Sequence, residues 1–401
     1  MPTNRRAVQQ LALARLLSVT GSGAAGIALS AEIYRQTGSA VWLSATFFFT
    51  FGVAGLLNPL AGLIVDRLDR QRLMVASDVL AAAMWILLLL ADAPIGLLLL
   101  GFLAEVVHLP FRIASRAVIP NMVEPRELSW ANGLIAVGNN VGRLLGPAIG
   151  GTVAAAAGSR TVFLGNAVSF VVSALLVATV RARFSASDAG EEAERGGVWS
   201  GFAHLARDPV LRALLLVWTL LYLTVDVAVV ADLPLSISFG WDEFGYGLMN
   251  AFWGAGALAG SILARRITVR FEPWAVLIGT LGIALGYGIV AAAPIFAVVL
   301  AGQFVAAGTD AGDEVAGTSI FQRGTPDHLR GRAFGAIHMA GLMANAVGFT
   351  FAGFLVEWLG ARTVYLMCAV ASALVAPLLL PLFRYRPRIP PGVRESEIQK
   401  A

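Results

Sequence analysis

The feature that most constrains this chain is a succession of apolar stretches, each about the 20 residues that a membrane-spanning helix needs. Inside lipid every backbone hydrogen bond must be satisfied within the protein, so such stretches fold as transmembrane helices. They occupy residues 11–34, 41–63, 73–91, 95–115, 129–157, 160–180, 210–235, 244–264, 273–292, 295–318, 333–356 and 361–383. The sequence therefore predicts an all-α membrane protein with twelve transmembrane helices, numbered here as segments one to twelve.

Composition excludes several other classes of protein. Hydrophobic residues make up 57% of the chain and charged residues 13%, whereas an ordinary soluble domain has about 25% charged residues. Cys368 is the single cysteine, which rules out an intrachain disulfide and a cysteine metal cluster. No nucleophile–base spacing, metal-ligand cluster or phosphate-binding loop is recognisable, so we expect no enzyme, cofactor or metal. Segment one lacks a signal-peptide cleavage pattern, so we expect it to be retained as a helix.

The distribution of basic residues predicts the orientation. Of the 29 lysine and arginine residues, all but Arg35, Arg143, Arg160 and Arg362 fall on the side of the membrane that holds the N-terminus. Cytoplasmic loops carry such an excess of positive charge. We therefore expect a multi-pass protein of the cell membrane with both termini in the cytoplasm. The pI of 9.6 then reflects topology, and we expect no nucleic-acid partner.

The two halves of the chain repeat each other. Ala93–Ile95 recurs at Ala293–Ile295, and Gly158–Phe163 is echoed at Gly360–Tyr365. Both copies have the same orientation, as in one known arrangement of transporters. A polar stretch between the halves indicates a solvated linker. We predict two pseudo-symmetric six-helix bundles, at 1–183 and 209–401, joined by a cytoplasmic linker at 184–208.

Segment five carries a stripe of glycines at every fourth position. The glycines are Gly138, Gly142, Gly146 and Gly150. Residues four apart share a helix face, and small residues let two membrane helices approach closely. Pro147 removes one backbone hydrogen bond and favours a kink. We expect this stripe to pack on segment eight, where Gly256 and Gly260 form a matching small face, at a boundary between two moving bodies.

The loop after segment two resembles the major facilitator superfamily, and the resemblance extends over essentially the whole chain. The loop is similar to the family motif G-x-x-x-D-R-x-G-R-K/R-x, with Asp69 in place of the second glycine and Gln71 in place of the basic residue after Arg70. Its matching residues are Gly62, Asp66, Arg67 and Arg70. The resemblance implies a latch that holds the two halves together when the cytoplasmic side is closed. The alternative is a charged turn that only sets topology.

Segment five is similar to the pattern G-x8-G-x3-G-P-x2-G-G of the family's drug–proton antiporters. The matching residues are Gly133, Gly142, Gly146, Pro147, Gly150 and Gly151. Residues 120–128 and 331–335 are similar to siderophore and macrolide exporters of the same superfamily. The resemblance implies a central cavity lined by segments one, four, seven and ten.

Charged side chains inside the apolar segments fall mainly on those same four segments. A charge at the bilayer centre costs about 2.5–3.5 kcal/mol even on lenient scales, so we expect these positions to face the cavity. The candidate proton-coupling residues are Glu105, His108, Asp226 and Asp310. The candidate substrate-cavity residues are Glu32, Arg112, Arg143, Asp313 and Glu314.

Glu105, His108 and Arg112 share one face of segment four. A carboxylate beside a histidine in a partly dry cavity can exchange protons near neutral pH. The alternatives are a structural, hydrogen-bonded histidine and a permanent ion pair at Glu105. Arg143 lies at a similar depth in segment five, so we expect it to pair with Glu105, with Asp78 as a second choice of partner.

The other charges leave two interpretations open. Asp310 and Glu314 share a face of segment ten, where they attract a cationic substrate or a proton, or simply line the cytoplasmic mouth. Glu32 and Asp232 lie near outer helix ends, where solvated rim charges are expected.

The leading functional hypothesis is a proton-coupled exporter of amphipathic small molecules that works as a monomer in the bilayer. We expect no ATP-binding domain, so uphill transport would need an ion gradient. One alternative is a facilitator or symporter that imports a polar solute. The other is a membrane sensor that no longer transports.

Overall fold

The computed structural model describes residues 4–124, 127–180 and 198–384. Every regular element in these ranges is helical, which confirms the all-α fold class. The α-helices are α1 Arg5–Thr37, α2 Ala40–Phe47, α3 Ala54–Leu56, α4 Asn58–Arg67, α5 Arg70–Leu88, α6 Pro94–Ala117, α7 Leu128–Ala157, α8 Ser159–Ala178, α9 Val198–Arg207, α10 Pro209–Ser238, α11 Asp242–Ala264, α12 Glu272–Ala292, α13 Phe296–Gly324, α14 Asp327–Leu359 and α15 Ala361–Val375.

Nine helices within the described residues are long and apolar enough to cross a membrane. Predicted segments 129–157 and 295–318 lie on α7 and α13, which have 30 and 29 residues. Predicted segment 41–63 is interrupted. The chain is a multi-pass membrane protein, and the count of twelve crossings stays a prediction.

The second predicted segment is broken rather than continuous. α2 passes into a π-helical stretch at Phe48–Val53, and α3 ends at Leu56. The Asn58 side chain donates to the Gly55 carbonyl at 2.8 Å. A side chain that bonds to nearby backbone competes with the helical ladder, and the chain resumes its helix as α4.

Large apolar side chains cover the outer faces of the helices. Leu90, Trp358 and Leu374 are 76%, 83% and 73% exposed. Soluble monomers rarely expose contiguous apolar surface of this extent. Such an exterior is suited to contact with lipid chains.

The chain divides into two compact units. The first comprises α1 to α8 together with Ser236–Ala251, and the second comprises α9, α10 up to Leu235 and the described residues from Phe252 onward. This grouping differs from the predicted bundles in residues 236–251, and the predicted boundary at the linker stays a prediction.

The first unit has two apolar clusters with polar side chains between them. α1 runs along α7 and α8, and α5 packs on α6 and α8. One cluster includes Leu11, Met74 and Phe111, and the other includes Trp85 and Phe163. Buried polar residues occupy the intervening turns of α1, α5, α6 and α8, and they are Arg15, Ser18, Ser77, Asp78, His108 and Ser173.

The glycine stripe of α7 faces α1. A methyl group added at Gly138 would lie 3.1 Å from the carbonyl oxygen of Ala12, and one added at Gly146 would lie 2.7 Å from that of Thr20. The stripe therefore packs helices inside the first unit. The expectation that it faces segment eight is wrong.

α7 does meet α11, but one residue beyond the stripe, where Gly151 lies against Gly247 within the first unit. Gly256 and Gly260 instead lie against backbone carbonyls of α13. Gly256 follows Gly247 by nine residues, or about two and a half helical turns. The two glycines therefore lie on opposite faces of α11, which the sequence interpretation overlooked.

In the second unit α12 packs on α13 and α15, and α9 packs on α14. The close approach of α9 requires Gly201, because an added methyl group would overlap the Arg332 carbonyl of α14. Tyr287 and Tyr365 are both 1% exposed, and Cys368 of α15 is 3% exposed.

Candidate proton and substrate sites

A carboxylate and an imidazole meet in the middle of the first unit. Asp78 of α5 is 0% exposed and His108 of α6 is 7% exposed. His108 Nε2 lies 3.3 Å from Asp78 Oδ1, while Ser173 of α8 donates to Asp78 Oδ2 at 2.6 Å. Neither Oδ1 nor Nε2 has a hydrogen bond to any described residue, so this approach is an ion-pair contact only while the imidazole carries a second proton.

Aromatic rings enclose the imidazole. The His108 ring stacks on Phe111 at 4.9 Å between centroids and meets Phe170 edge-on at 4.8 Å. The apolar clusters on either side exclude water from the pair. Electrostatic interactions between buried groups are therefore stronger here than at the surface.

Arg15 of α1 is 5% exposed, although the sequence counted it with the cytoplasmic basic residues. Its Nε donates to Asn139 Oδ1 at 3.2 Å and its Nη1 donates to Ser115 Oγ at 3.0 Å. These two partners are neutral. The guanidinium also interacts electrostatically with Asp78.

Glu105 pairs with Arg112, which lies about two turns further along the same face of α6. The distance between Glu105 Oε2 and Arg112 Nη1 is 3.5 Å. The Glu105 side chain is 24% exposed and that of Arg112 is 49% exposed. Arg143 is exposed and does not form the expected pair with Glu105 in this structure. Arg143 follows Gly142, which packs on α1. Successive residues of an α-helix point about 100° apart, so Arg143 points in a different direction from Gly142. His108 likewise faces Asp78 rather than Glu105.

In the second unit Asp226 of α10 is 9% exposed. With the Asn345 amide turned to satisfy its hydrogen bonds, its nitrogen donates to Asp226 Oδ2 at 2.7 Å and to the Gly341 carbonyl at 2.8 Å. α14 thus supplies a neutral donor to a buried carboxylate of α10.

Asp313 of α13 is 1% exposed. Its Oδ1 accepts a hydrogen bond from Trp218 Nε1 at 3.0 Å, and its Oδ2 accepts one from Thr280 at 3.3 Å. These donors fix the carboxylate between α10 and α12. Asp313 was expected to line the cavity, and here it is held inside the helix packing of the second unit.

Asp232 is 5% exposed and is not the solvated rim charge that the sequence indicated. Tyr365 donates to its Oδ1, and Gln303 donates to the same atom at 2.8 Å. Asp232 lies close to the outer end of α10 in sequence. Its side chain nevertheless points into the packing of α10 against α13 and α15.

Asp310 is half-buried and Glu314 is exposed on α13. The exposed Tyr222 side chain of α10 interacts electrostatically with both. In the first unit, Glu32 bonds to Arg35 and Gln36 on its own helix. The rim assignment of Glu32 stays a prediction.

The loop motif connects α4 to α5. The Asp66 side chain lies outside the described residues, Gly62 is half-buried and Arg67 is exposed. Arg70 Nη1 donates to the Ala117 carbonyl of α6 at 3.3 Å. The loop is thereby attached to the end of α6, and its role as a latch stays a prediction.

Several residues of these sites were missed or placed differently by the sequence. They are Arg15, Asp78, Ser115, Ser173, Trp218, Gln303 and Tyr365. A polar residue inside a lipid-length segment was the available signal for Asp78, Ser173 and Gln303. Their partners come from other helices, which residue spacing within one helix does not reveal.

Lipid-length helices that bury carboxylates, an arginine and a histidine define a polytopic membrane transporter, because such groups are costly in a membrane and mark ion or substrate pathways. The sequence profile of the Major Facilitator Superfamily matches residues 11–275 and 225–400. The chain belongs to this superfamily of small-molecule transporters, which confirms the resemblance of its motifs.

Its curated relatives include two proteins named for efflux, Tap and macrolide efflux protein A, and one named an uncharacterized transporter, YfiS. The multidrug efflux pump Tap of Mycolicibacterium fortuitum is 26% identical over 96% of this chain and 97% of its own. The MFS-type transporter YfiS of Bacillus subtilis is 26% identical over 81% of this chain and 80% of its own. Macrolide efflux protein A of Streptococcus pyogenes is 26% identical over 55% of this chain and 56% of its own.

Solved transporters share the fold. An inward-facing, occupied bacterial homologue of the human lysosomal transporter Spinster has a TM-score of 0.75 and 15% identity, covering 96% of this chain and 98% of its own. An inward-facing bacterial homologue of the iron transporter ferroportin has a TM-score of 0.71 and 18% identity, covering 94% and 99%. At these identities the likeness concerns the fold alone.

Proposed function

We propose that this protein exports amphipathic small molecules in exchange for protons. The observation that carries the proposal is a set of carboxylates buried inside helices with neutral partners, namely Asp226, Asp232 and Asp313. Burying an uncompensated charge is costly. Binding of a proton removes that charge, so each carboxylate is a group at which proton binding can bias the packing of its helix.

Glu105 is the proposed first carrier, followed by His108, Asp226 and Asp310. Glu105 is partly exposed, so water can reach it, and Arg112 lies 3.5 Å away. A proton and the Arg112 guanidinium compete for the same carboxylate. Protonation would release Arg112 and leave a neutral side chain on that face of α6.

Exchange requires that substrate favour the deprotonated carrier and that protons favour the substrate-free one. Such linkage is reciprocal, because each ligand changes the affinity for the other by the same factor. Exposed Tyr222 and Glu314 and half-buried Asp310 combine an aromatic ring with carboxylates in the second unit. This chemistry suits an amphipathic cation. In the first unit, Glu32, Arg112 and Arg143 are proposed as substrate-contacting residues.

The direction of transport is supported by relatives rather than by geometry. The relative that matches this chain almost end to end is named a multidrug efflux pump, and a second is named a macrolide efflux protein. The antiporter-like motif of α7 favours the same direction. We also propose that the protein acts as a monomer in the cell membrane with both termini in the cytoplasm.

The test uses inverted membrane vesicles with ethidium and erythromycin as probes. An acidic lumen should drive accumulation of probe, and an uncoupler should abolish it. Glu105→Gln should abolish uphill accumulation while downhill counterflow partly persists. Asp92→Asn is the matched control, because Asp92 lies in a loop and pairs with Arg160 at the surface. Accumulation without a proton gradient contradicts proton coupling, and accumulation by Glu105→Gln contradicts this carrier.

A further inference from the structure

We propose that Asp78 and His108 hold one proton between them and form a proton-binding site of the first unit that is separate from Glu105. The sequence linked His108 to Glu105, but the fold places its Nε2 3.3 Å from Asp78 Oδ1. The role of this pair in transport rests on the proposed function. The ability of the pair to bind a proton is independent of that function.

The hydrogen bonds around the pair leave a place for one proton. Ser173 already occupies Asp78 Oδ2 at 2.6 Å. Oδ1 and His108 Nε2 are buried, and each lacks a hydrogen bond to the described residues. Buried polar atoms are almost always hydrogen-bonded. A hydrogen on Nε2, after a small rotation of either side chain, donates to Oδ1 and satisfies both. When Nδ1 also carries a hydrogen, the imidazole holds the additional proton of the pair.

The charges around the pair allow this proton to leave. When the proton is bound, the pair is neutral overall, and Arg15 gives the cluster one positive charge. When the Nε2–H bond breaks, the electron pair stays on Nε2 and Asp78 keeps its negative charge. Arg15 then balances Asp78, since its own hydrogen-bond partners Asn139 and Ser115 are neutral. Release of the proton therefore leaves a cluster of zero net charge.

The other charged groups near the cluster are three arginines and one carboxylate. Arg112 and Arg116 of α6 and Arg143 of α7 repel the Arg15 guanidinium electrostatically. Glu105, which lies three residues before His108 on α6, pairs with Arg112 and offsets part of that positive charge. The helix α8 contributes the neutral Ser173. The remaining positive potential favours release of the proton, whereas the apolar enclosure by Phe111 and Phe170 slows its exchange with water.

The pair joins two helices, so its proton is linked to their packing. Asp78 lies on α5 and His108 on α6. The proton stabilises the contact only while Oδ1 and Nε2 stay within hydrogen-bond reach. A relative shift of α5 and α6 by about 1 Å would place the two atoms beyond that reach.

The hydrogen on the His108 ring can be observed by NMR on protein with isotope-labelled histidines in nanodiscs. His338 of α14 is exposed and serves as the internal reference, while His108→Gln assigns the signal. We expect the ring hydrogen of His108 that faces Asp78 to exchange with water more slowly than the ring hydrogens of His338, because aromatic rings enclose it. A His108 whose ring hydrogens exchange as fast as those of His338 in the unmodified protein overturns the proposal.

Single substitutions test whether Asp78 is the partner of His108. Asp78→Asn should speed the exchange of the His108 ring hydrogen with water and leave His338 unchanged. Ser173→Ala removes the hydrogen bond to the other carboxylate oxygen and should change that exchange less than Asp78→Asn does. An unchanged His108 exchange rate in a folded Asp78→Asn protein also overturns the proposal. Because His108 is compared with His338 in the unmodified protein as well, the test stands even where a variant does not fold.

The transport arm separates this inference from the proposed function. With ethidium in inverted vesicles, Asp78→Asn should lose accumulation driven by a pH gradient and retain downhill counterflow. If the parent protein does not respond to a pH gradient, proton-coupled export fails while the NMR result on the pair stands. If the parent responds and Asp78→Asn still concentrates ethidium, the role of the pair in coupling fails alone.

Discussion

Replacing Gly146 by alanine tests whether α1 and α7 are held at backbone contact. The added methyl group would lie 2.7 Å from the Thr20 carbonyl oxygen and 3.2 Å from the Ala24 amide nitrogen. Both atoms belong to the backbone of α1, so relief requires the helices to separate. Overpacking costs about 1–3 kcal/mol, while alanine gains about 0.5–1 kcal/mol in helix propensity. We expect a net loss of up to about 2.5 kcal/mol, or up to roughly 10 °C in melting temperature.

Two other glycines of the same motif provide a graded comparison. Nothing lies within 4 Å of a methyl group added at Gly133, so Gly133→Ala should leave the melting temperature unchanged or slightly higher. At Gly142 the nearest atom, at 2.9 Å, belongs to the Val19 side chain, which can move more easily than backbone, so the loss should be intermediate. The assay is size-exclusion chromatography of a fluorescent fusion after heating in detergent. Equal melting temperatures for Gly146→Ala and Gly133→Ala would refute the packing argument.

Three further predictions concern the second unit. Gly201→Leu should detach α9 from α14 and speed hydrogen exchange of the α9 amides, whereas unchanged exchange would contradict a backbone contact. Tyr365→Phe removes one of two donors to Asp232 and should cost about 1–3 kcal/mol, measured as a lower melting temperature in detergent. Trp218→Phe should destabilise the protein less when Asp313 is also replaced by asparagine, and additive losses would show that the two side chains do not interact.

The sequence predicted the positions of the helices better than the side-chain contacts between different helices. Segment length and hydropathy gave both ends of α7 and the start of α13 to within one residue, because lipid thickness sets a minimum helix length independently of tertiary contacts. The helix α13 continues to Gly324, beyond the predicted end at residue 318. The break after Phe48–Val53 was missed, since a π-helical stretch leaves the apolar composition of a segment unchanged.

Pairing errors had one physical origin. Spacing along α6 places Glu105 and His108 on one side, but which neighbouring helix supplies a partner depends on helix rotation and packing. His108 was therefore grouped with Glu105 rather than Asp78, and Asp232 was expected to be a solvated rim charge, whereas the presence of costly polar groups in the segments was recognised. The roles of these residues in coupling stay predictions.

The burial of Cys368 has a practical consequence for spectroscopy. Its thiol is 3% exposed on α15, and buried thiols react poorly because both reagent and thiolate are excluded. Maleimide and methanethiosulfonate labels should therefore react little with the natural protein. Its native cysteine need not be replaced before labelling. Single cysteines introduced on exposed positions of each unit can carry spin or fluorescent labels in an otherwise natural sequence, so that distances between labels are followed during turnover.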